Sequence, residues 1–396
     1  MNEVYLVDGV RTPFGKAAGS LASVRPDDLA ALVLLGALER AGVPRESVDE
    51  VIFGCANQSG EDNRNVARMA ILLSGLPLDI PGYTVNRLCA SGLTAIASAA
   101  QQVAAGEADV VIAGGVESMS RAPWVMGRPT SAYSRPTELV DSSLGWRFIN
   151  SKMREVDGGS ATISLGETAE RVAAIDGITR SESDEYAMRS HLLAAKAVEA
   201  GLLAADIISV ESANGPVSVD EGPRPETTLE KLARLKPVFS ENGIVTAASS
   251  SPLSDGAAAV VVASGQAVRE LGLKPRARIV GTASAGVQPS LMGLGPVPAT
   301  QKLLDRHAMS ISDLDAVEIN EAFAPQVIAC ARRLNIDESI LNAWGGAIAL
   351  GHPLGASGAR LALTMARRLE DGDLNRGLVT LCVGVGQGTS MILERV

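Results

Sequence analysis

The chain contains a repeat, because three short motifs of its first quarter return in its last quarter at one constant offset. The offset from Asp49 to Asp315 is 266 residues, and it aligns residues 38–40 with 304–306, 49–51 with 315–317 and 89–92 with 355–358. Each match is weak alone, since short motifs recur easily in a chain rich in alanine and glycine. Three matches at one offset indicate an internal duplication of one folding unit.

Apolar, β-rich runs alternate with helical patterns in both copies of the repeat. Buried strands are predicted at 3–10, 48–54 and 108–115 in the first copy, and at 277–284, 314–320, 377–384 and 390–396 in the second. A helix is predicted over 27–42, ending at Gly42 with Pro44 beyond it. This alternation favours an α/β fold with parallel sheets and crossovers. Two related halves would place their strand and helix ends at a shared seam, where a site is expected.

Composition restricts the classes of partner and compartment. The 396 residues are too many for one ordinary core, so two or more domains are expected. The net charge of −10 argues against a general affinity for nucleic acid or anionic membranes. No apolar run is expected to reach the length of a membrane helix, and the N-terminus does not resemble a signal peptide. The cysteines form no CxxC pair and the histidines show no zinc spacing, so we predict a cytoplasmic protein without a metal.

The middle of the chain differs from both copies. Residues 118–160 are rich in Ser, Pro and Gly but hold aromatic side chains, so an ordered excursion is predicted there. Residues 167–204 are predicted to be helical. The stretch 224–239 carries Arg224, Lys231, Arg234 and Lys236. It is a candidate for holding phosphates, and the alternative is a solvated helix face.

Cys89 lies between an extended run and the predicted helix that starts at Ser91. Backbone N–H groups at a helix entrance are unpaired and the helix dipole favours an anion, so this position is expected to lower a thiol pKa. Cys89 is therefore a candidate nucleophile. The alternative is a small apolar side chain in a core.

Three further segments carry residues suited to the same chemistry. His352 lies in AIALGHPLGASG, where it can take a thiol proton or donate to an oxyanion. Cys382 ends a predicted strand, and the glycines after it, beginning with Gly384, let backbone N–H groups approach a ligand. Asn320 and Glu321 follow a strand and suit either a water-orienting role or a helix cap. A nucleophilic cysteine, a histidine and a second thiol form a set for acyl transfer.

Five motifs in this order resemble the thiolase family from end to end. They are NRLCASG (86–92), AGGVESMSRAP (113–123), NEAFA (320–324), GGAIALGHPLGASGAR (345–360) and CVGVGQG (382–388). Thiolases exchange an acyl group between coenzyme A and a 3-ketoacyl chain, by thiolysis or reverse Claisen condensation. The resemblance implies a five-layered α/β/α/β/α sandwich of two duplicated halves with an inserted loop domain. It divides the chain into an N-terminal half (1–120, completed by about 248–272), a loop domain over coenzyme A (121–247) and a C-terminal half (273–396).

The resemblance also implies a role for each site residue. Cys89 would be the nucleophile that holds the acyl thioester. His352 would activate it and, with a water held by Asn320, form a hole for the thioester oxygen of the second substrate. Cys382 would move the α-proton. The backbone N–H groups of Cys89 and Gly384 would form the other oxyanion hole.

Coenzyme A and its thioesters would be the substrates, with no permanently bound cofactor. Ser251 and Arg224 match positions that contact the pantetheine arm and the nucleotide end. The assembly implied by the resemblance is a homodimer or homotetramer.

The chain departs from the family pattern in three places. The family often has Gly-Asn-Ala-Ser-Gly where this chain has residues 248–252, so Ser251 is retained but Pro252 removes a backbone donor. Trp344 replaces a common asparagine. Ser164 and Leu165 stand where some short-chain members carry His-Met, so a different acyl pocket is expected.

Residues 54–70 and 145–150 look most like the 3-oxoadipyl-CoA thiolases, a hypothesis that requires a cation near the acyl end. Arg64, Arg68 and Arg147 lie in the matching segments. The alternatives are a short-chain acetoacetyl-CoA thiolase or a fatty-acid 3-ketoacyl-CoA thiolase. A ketosynthase would pair its cysteine with a second histidine where Asn320 stands. A non-catalytic acyl-CoA-binding scaffold would not need the two thiols and the imidazole.

Overall fold

The computed structural model describes residues 2–129, 131–135 and 138–396. Three positions of the predicted excursion over 118–160, namely 130, 136 and 137, lie outside the described residues. The strands are β1 Val4–Arg11, β2 Gly15–Lys16, β3 Glu50–Gly54, β4 Gly82–Val85, β5 Val110–Ser118, β6 Trp124–Met126, β7 Leu139–Asp141, β8 Val210–Ser212, β9 Gly215–Val217, β10 Ser254–Ser264, β11 Ala277–Gly286, β12 Ala316–Ile319, β13 Arg376–Val383 and β14 Gln387–Arg395. The helices are α1 Pro26–Ala41, α2 Val66–Ser74, α3 Ser91–Ala105, α4 Leu165–Asp176, α5 Arg180–Glu199, α6 Leu229–Ala233, α7 Gly265–Glu270, α8 Pro296–Arg306, α9 Ala324–Leu334, α10 Ala347–Leu350 and α11 Leu354–Asp371.

The predicted strands and the predicted helix ending at Gly42 are confirmed, with Gly42 in the left-handed conformation that closes α1. Nine strands form a ladder in the order β12-β13-β14-β11-β1-β10-β5-β3-β4, and β2 pairs with β10. The link between β1 and β11 involves only two residue pairs, Tyr5 with Arg278 and Leu6 with Ala277. The ladder therefore consists of two half-sheets that touch at one corner.

The expectation of parallel sheets is wrong for most of the strands. Only β3 with its two neighbours and β12 with β13 run parallel, and the remaining pairs are antiparallel. The connection from β13 to β14 is the three-residue turn 384–386. Such a connection is too short for a crossover, so it makes an antiparallel hairpin.

Five layers follow from the packing of helices on the two half-sheets. Helices α3 and α11 pack against each other and against strands of both half-sheets. Helices α1 and α2 cover the outer face of the first half-sheet. Helices α8 and α9 lie on the outer side of the second. The five-layered α/β/α/β/α sandwich is therefore confirmed.

Side chains that alternate along a strand pack into the cores on the two faces of its half-sheet. In β10, Ala258, Val260 and Val262 belong to the central core, while Ala257, Ala259 and Val261 face the outer core of α1 and α2. Successive side chains of a strand point to opposite faces. Because both faces are covered, the whole strand is buried and its sequence is continuously apolar.

The duplication is visible in side-chain hydrogen bonds as well as in the element order. Asp49 Oδ2 accepts bonds of 2.7 and 2.9 Å from the backbone N–H groups of residues 109–110, at the start of β5. Asp315 Oδ2 accepts bonds of 2.8 and 3.0 Å from those of residues 375–376, at the start of β13. These partners are again 266 residues apart in each case. The same pair of aspartate hydrogen bonds therefore fixes the start of the equivalent strand in both halves.

The two central helices cross at a glycine from each copy. A Cβ on Gly92 of α3 would lie 2.6 Å from the carbonyl oxygen of Gly355 and 2.9 Å from the nitrogen of Ala359. A Cβ on Gly358 of α11 would lie 2.2 Å from the backbone nitrogen of Leu93. Gly92 and Gly358 correspond at the 266-residue offset. The N-terminal turns of the two helices thus touch backbone to backbone.

The stretch Leu88–Ala105 is long and apolar enough, by length and composition, to cross a membrane. This corrects the expectation that no run of the chain reaches that length. In the structure the stretch is α3 with the turn before it, packed between the two half-sheets. Burial by protein on several sides accounts for its apolar composition.

We expect Gly92→Ala to lower the free energy of unfolding by about 1–3 kcal/mol, because the added methyl group overlaps a backbone carbonyl that cannot rotate away. The measurement is the midpoint of urea unfolding. Gly286→Ala is the matched control, since the nearest atom to its Cβ is 3.8 Å away, and its effect should stay within about 0.5 kcal/mol. Equal stability of the two variants would show that the helix crossing tolerates a side chain.

Candidate active site

Cys89 is held in a strained turn at the entrance to α3. The 3₁₀ turn Leu88–Ala90 precedes the helix, and Leu88 has a positive φ of 46°. Ser91 Oγ accepts a hydrogen bond from the backbone N–H of Arg87 at 2.8 Å and donates one to the carbonyl of Leu88 at 2.7 Å. These local bonds maintain a backbone conformation that is unfavourable for a leucine. The position of the thiol is therefore set by its immediate sequence neighbours.

Three of the predicted catalytic residues and one predicted coenzyme A contact, Ser251, meet at one cavity. This main cavity has a volume of about 370 Å³. Its wall includes Cys89, His352, Cys382, Ser251, Phe239 and Met292. Cys89 precedes α3, His352 precedes α11 and Cys382 lies near the end of β13. The cavity therefore lies where the ends of elements from both halves converge.

Hydrogen bonds orient the ring of His352. Its Nδ1 lies 2.6 Å from Ser357 Oγ, which donates to the carbonyl of Pro353 at 3.0 Å. Because the Ser357 hydroxyl donates its proton to that carbonyl, it accepts a hydrogen bond from Nδ1–H of the imidazole. The other ring nitrogen, Nε2, is then unprotonated and can accept a proton. Nε2 lies 3.3 Å from Asn320 Nδ2. The backbone N–H of His352 donates to Ser254 Oγ at 3.1 Å.

The resting thiol and imidazole are both uncharged. Burial raises the pKa of Cys89 to about 11, against the opposing effect of the backbone N–H groups of Gly384 and Cys89 itself. Burial, with the charge of Arg360 as a smaller cause, lowers the pKa of His352 to about 3. The expectation that the helix entrance lowers the thiol pKa is wrong here, because loss of solvent outweighs the dipole. The thiol of Cys89 is consequently protonated at neutral pH.

The structure separates the four cysteines into two groups. Cys382 lines the main cavity with Cys89, and burial together with that neighbouring thiol raises its pKa well above the usual range. Cys55 and Cys330 do not line the main cavity, and their thiols donate to backbone carbonyl groups at 2.8 and 3.1 Å. Cys89 and Cys382 are therefore the two thiols available to a ligand in this cavity.

Gly384 must be a glycine because an indole packs against it. A Cβ there would lie 2.9 Å from Cη2 of Trp146 and 3.1 Å from Cδ1 of Leu88. The backbone N–H of Gly384 faces the sulfur of Cys89. The close packing therefore holds this backbone N–H group beside the sulfur.

Glu321 joins the segment of Asn320 to its surroundings. Its Oε1 accepts hydrogen bonds from Tyr186 Oη at 2.9 Å and Asn342 Nδ2 at 3.1 Å. Its Oε2 accepts from Ser190 Oγ at 2.6 Å and from the backbone N–H of Ile348 at 3.1 Å. One fully buried carboxylate thus ties α5 to the two segments that carry Asn320 and His352.

Glu117 is a site residue that the sequence reasoning missed. Its carboxylate accepts hydrogen bonds from the backbone N–H groups of Ala56, Asn57 and Gly355 at 2.9–3.0 Å. Burial raises its pKa to about 7, and these three bonds oppose the rise. The available signal was a glutamate inside the nine-residue apolar strand β5. Glu117 links the first half to the backbone that follows His352.

The other predicted binding residues separate into cavity and non-cavity positions. Ser251 and Pro252 line the main cavity, as do Ser164 and Leu165 at the start of α4. Ser164 also caps that helix through a capping box with Glu167. These positions place the family departures at 164–165 and 252 on the wall of the cavity.

Arg224 is exposed and lies outside the main cavity, and its backbone N–H donates to His191 Nδ1 at 3.3 Å. The basic stretch around α6 is exposed, and Arg234 pairs there with Glu230. Trp344 packs in an apolar cluster with Leu202 rather than in the main cavity. The substitution at 344 therefore affects packing on α5 and not the cavity wall.

Comparisons with known proteins agree with this geometry. The sequence profile of the thiolase N-terminal domain matches residues 4–266, and that of the thiolase C-terminal domain matches residues 273–395. The chain is 53% identical over 401 residues to the beta-ketoadipyl-CoA thiolase of Pseudomonas aeruginosa, covering all of this chain and 99% of that protein. It is 42% identical over 398 residues to the acetyl-CoA acetyltransferase of Syntrophomonas wolfei, covering 99% of both. The crystal structure of human mitochondrial 3-ketoacyl-CoA thiolase in complex with CoA superposes with a TM-score of 0.93 at 39% identity, covering 100% of this chain and 98% of that one.

The chain belongs to the thiolase family. It is an acyltransferase of that family, whose substrates are coenzyme A thioesters.

We expect the rate of Cys89 alkylation by iodoacetamide to rise about tenfold per pH unit from pH 7 to pH 10, without a plateau. The reason is that the reactive thiolate is the minor form at every pH below the raised pKa of about 11. The measurement is the intact mass of the protein at fixed times, with Cys89→Ala giving the background from the other three cysteines. A plateau at or below pH 8 would contradict a neutral resting thiol.

We expect Glu321→Gln to lower kcat by about tenfold to hundredfold, because an amide N–H would face donors and displace Asn320 and His352 by a fraction of an ångström. The KM should change by less than about threefold, since Glu321 lies outside the main cavity. The matched control is Glu185→Gln on the exposed face of α5. A rise in KM at constant kcat would instead place the effect on substrate binding.

Proposed function

We propose that this thiolase transfers acyl groups through a thioester on Cys89. Cys89, His352 and Cys382 converge on one cavity, and this convergence supports the proposal. A nucleophile, a base for that nucleophile and a second thiol for the carbon acid are the groups that the reaction requires. A ketosynthase would need a second histidine where Asn320 stands beside His352.

The first half-reaction forms the acyl enzyme. His352 Nε2 takes the thiol proton as the sulfur of Cys89 attacks the C3 ketone of a 3-ketoacyl-CoA. The backbone N–H groups of Cys89 and Gly384 stabilise the oxyanion. The C2–C3 bond then breaks, the thiol of Cys382 protonates C2, and acetyl-CoA leaves. Neutral starting groups suit this sequence, because no charge is present in the buried cavity until the substrate arrives.

The second half-reaction returns the enzyme to its starting state. The thiolate of Cys382 takes the proton of the coenzyme A thiol, and the resulting sulfur anion attacks the acyl thioester. The bond to Cys89 breaks, the acyl-CoA leaves, and His352 returns its proton to the cysteine. In the first half-reaction, Asn320, with a bound water and His352, would stabilise the enolate oxygen that forms when the C2–C3 bond breaks. The two thiols and one imidazole are unchanged at the end of the cycle.

We propose that coenzyme A enters over Ser251 and that residues 121–247 form the loop domain covering it. Ser251 and Phe239 on the cavity wall support this path. The guanidinium of Arg224 would meet the nucleotide end, which fits its exposure to solvent and its place outside the cavity. The first half would then comprise 1–120 with 248–272, which agrees with β10 pairing between β1 and β5.

The substrate that we propose is 3-oxoadipyl-CoA. Beta-ketoadipyl-CoA is another name for this compound. In support, the chain is 53% identical to a beta-ketoadipyl-CoA thiolase but 42% identical to an acetyl-CoA acetyltransferase. Cleavage would leave a succinyl group on Cys89 and release acetyl-CoA. The product of the second half-reaction would be succinyl-CoA.

We also propose a homodimer or homotetramer, acting in the cytoplasm. Strand β4 ends the ladder and its four residues are only half-buried, so its outer edge can pair with another chain. Leu72, Leu73 and Leu78 are exposed beside it. Light scattering after gel filtration tests the assembly, and a monomer would refute it.

Incubation with 3-oxoadipyl-CoA without free coenzyme A should add one succinyl group to the native protein and none to Cys89→Ala. Cys330→Ser is the matched control, since this thiol lies outside the cavity, and it should be acylated like the native protein. Intact mass spectrometry reads the adduct. Acylation of the Cys89→Ala variant would show that Cys89 is not the nucleophile. Equal kcat/KM values for 3-oxoadipyl-CoA and acetoacetyl-CoA would show that the proposed substrate is wrong.

A further inference from the structure

Two segments that are distant in the sequence meet beside Cys89. Asn57 Nδ2 donates to the carbonyl and to the hydroxyl of Ser142, both at 3.1 Å. Arg147 Nη2 donates to Ser59 Oγ at 3.0 Å. These bonds join the segment after β3 to the segment after β7. They are parts of the same two stretches, 54–70 and 145–150, that most resemble the 3-oxoadipyl-CoA thiolases, together with Ser142 just before the second.

The two segments enclose a small chamber that opens on the nucleophile. This side chamber has a volume of about 60 Å³. Its wall includes Asn57, Cys89, Ser142, Trp146 and Arg147. Cys89 is also on the wall of the main cavity, so this residue borders both spaces. An acyl group on Cys89 can therefore extend into the side chamber while coenzyme A occupies the main cavity.

The size of the side chamber fits a short acyl group. One water needs roughly 10–15 Å³, so the chamber has room for about four to six heavy atoms. A succinyl group carries two methylene carbons and a carboxylate beyond its thioester carbonyl. A long fatty chain would not fit without moving the walls.

Arg147 is the one cation among the lining residues of the side chamber. Its hydrogen bonds go to two uncharged oxygens, Ser59 Oγ and the carbonyl of Ser142, the latter at 3.4 Å. Within the described part of the chain, no carboxylate forms an ion pair with it. A half-buried guanidinium without a counter-charge is costly, and it has donors left for a bidentate contact.

The carboxylate already in the chamber does not satisfy this guanidinium. Glu117 accepts three backbone hydrogen bonds, from Ala56, Asn57 and Gly355. The other candidate cations are elsewhere. Arg68 donates to the carbonyls of Ile80 and Leu78 at 2.6 and 2.9 Å, and Arg64 is exposed and lines neither space.

We propose that Arg147 is the specificity-determining residue, which binds the terminal carboxylate of the acyl group held on Cys89 in the side chamber. The inference rests on the proposed function, since it assigns the recognition of a dicarboxylic acyl chain to one residue. Asn57 and Ser59 hold the two segments together and so position the guanidinium. The same chamber admits an uncharged chain of equal length, but without this contact.

The experiment compares 3-oxoadipyl-CoA with 3-oxohexanoyl-CoA, which has the same carbon number and a methyl group in place of the carboxylate. The variants are Arg147→Met, Arg147→Lys and the matched control Arg64→Met. The native protein and Arg64→Met should prefer 3-oxoadipyl-CoA in kcat/KM. Arg147→Met should reduce that preference by about tenfold to hundredfold through loss of 3-oxoadipyl-CoA cleavage, and Arg147→Lys should retain part of it.

Cleavage of 3-oxohexanoyl-CoA shows whether each variant is folded and catalytically intact. If Arg147→Met keeps the native preference, the inference is wrong while the proposed substrate stands. If it loses both activities equally, Arg147 is structural and the inference is again wrong. If the native protein itself shows no preference, the proposed substrate fails and the inference fails with it.

Discussion

The contact between the N-terminal turns of the two central helices joins the two copies of the repeat at the site. Gly92 and Gly358, one from each copy of the repeat, allow the backbones to touch where any side chain would collide. Cys89 lies two residues before α3, and His352 lies two residues before α11. Contact between the two helix entrances therefore places a thiol from one half and an imidazole from the other on the wall of one cavity.

Burial at this crossing determines the chemistry of the site. The helix ends that would stabilise a thiolate lie in a region without solvent, where the cost of charge is larger than the benefit of the dipole. The thiol and the imidazole are accordingly neutral at rest. Two buried carboxylates, Glu117 and Glu321, accept several hydrogen bonds each and fix the backbone around both groups. Such satisfied polar networks make the arrangement rigid.

Much of this could be predicted from the sequence. The strand predictions, the end of α1 at Gly42 and the duplication depend on local patterns and on one offset, and each is present in the structure. The residues that meet at the main cavity were also identifiable, because Cys89, His352 and Cys382 lie at element ends in glycine-rich segments. The antiparallel pairing of most strands was not predictable, since strand direction depends on connections such as the hairpin at 384–386.

The identity and local setting of the reactive groups follow from neighbouring residues, because these encode helix entrances, strand ends and glycine turns. The direction of the Cys89 pKa shift depends instead on long-range packing, since parts of the chain far away exclude the solvent around the thiol. The tertiary structure also decides that residues near Asn57 and near Arg147 share one chamber. Long-range packing sets burial and charge at a site, and no local pattern contains that information.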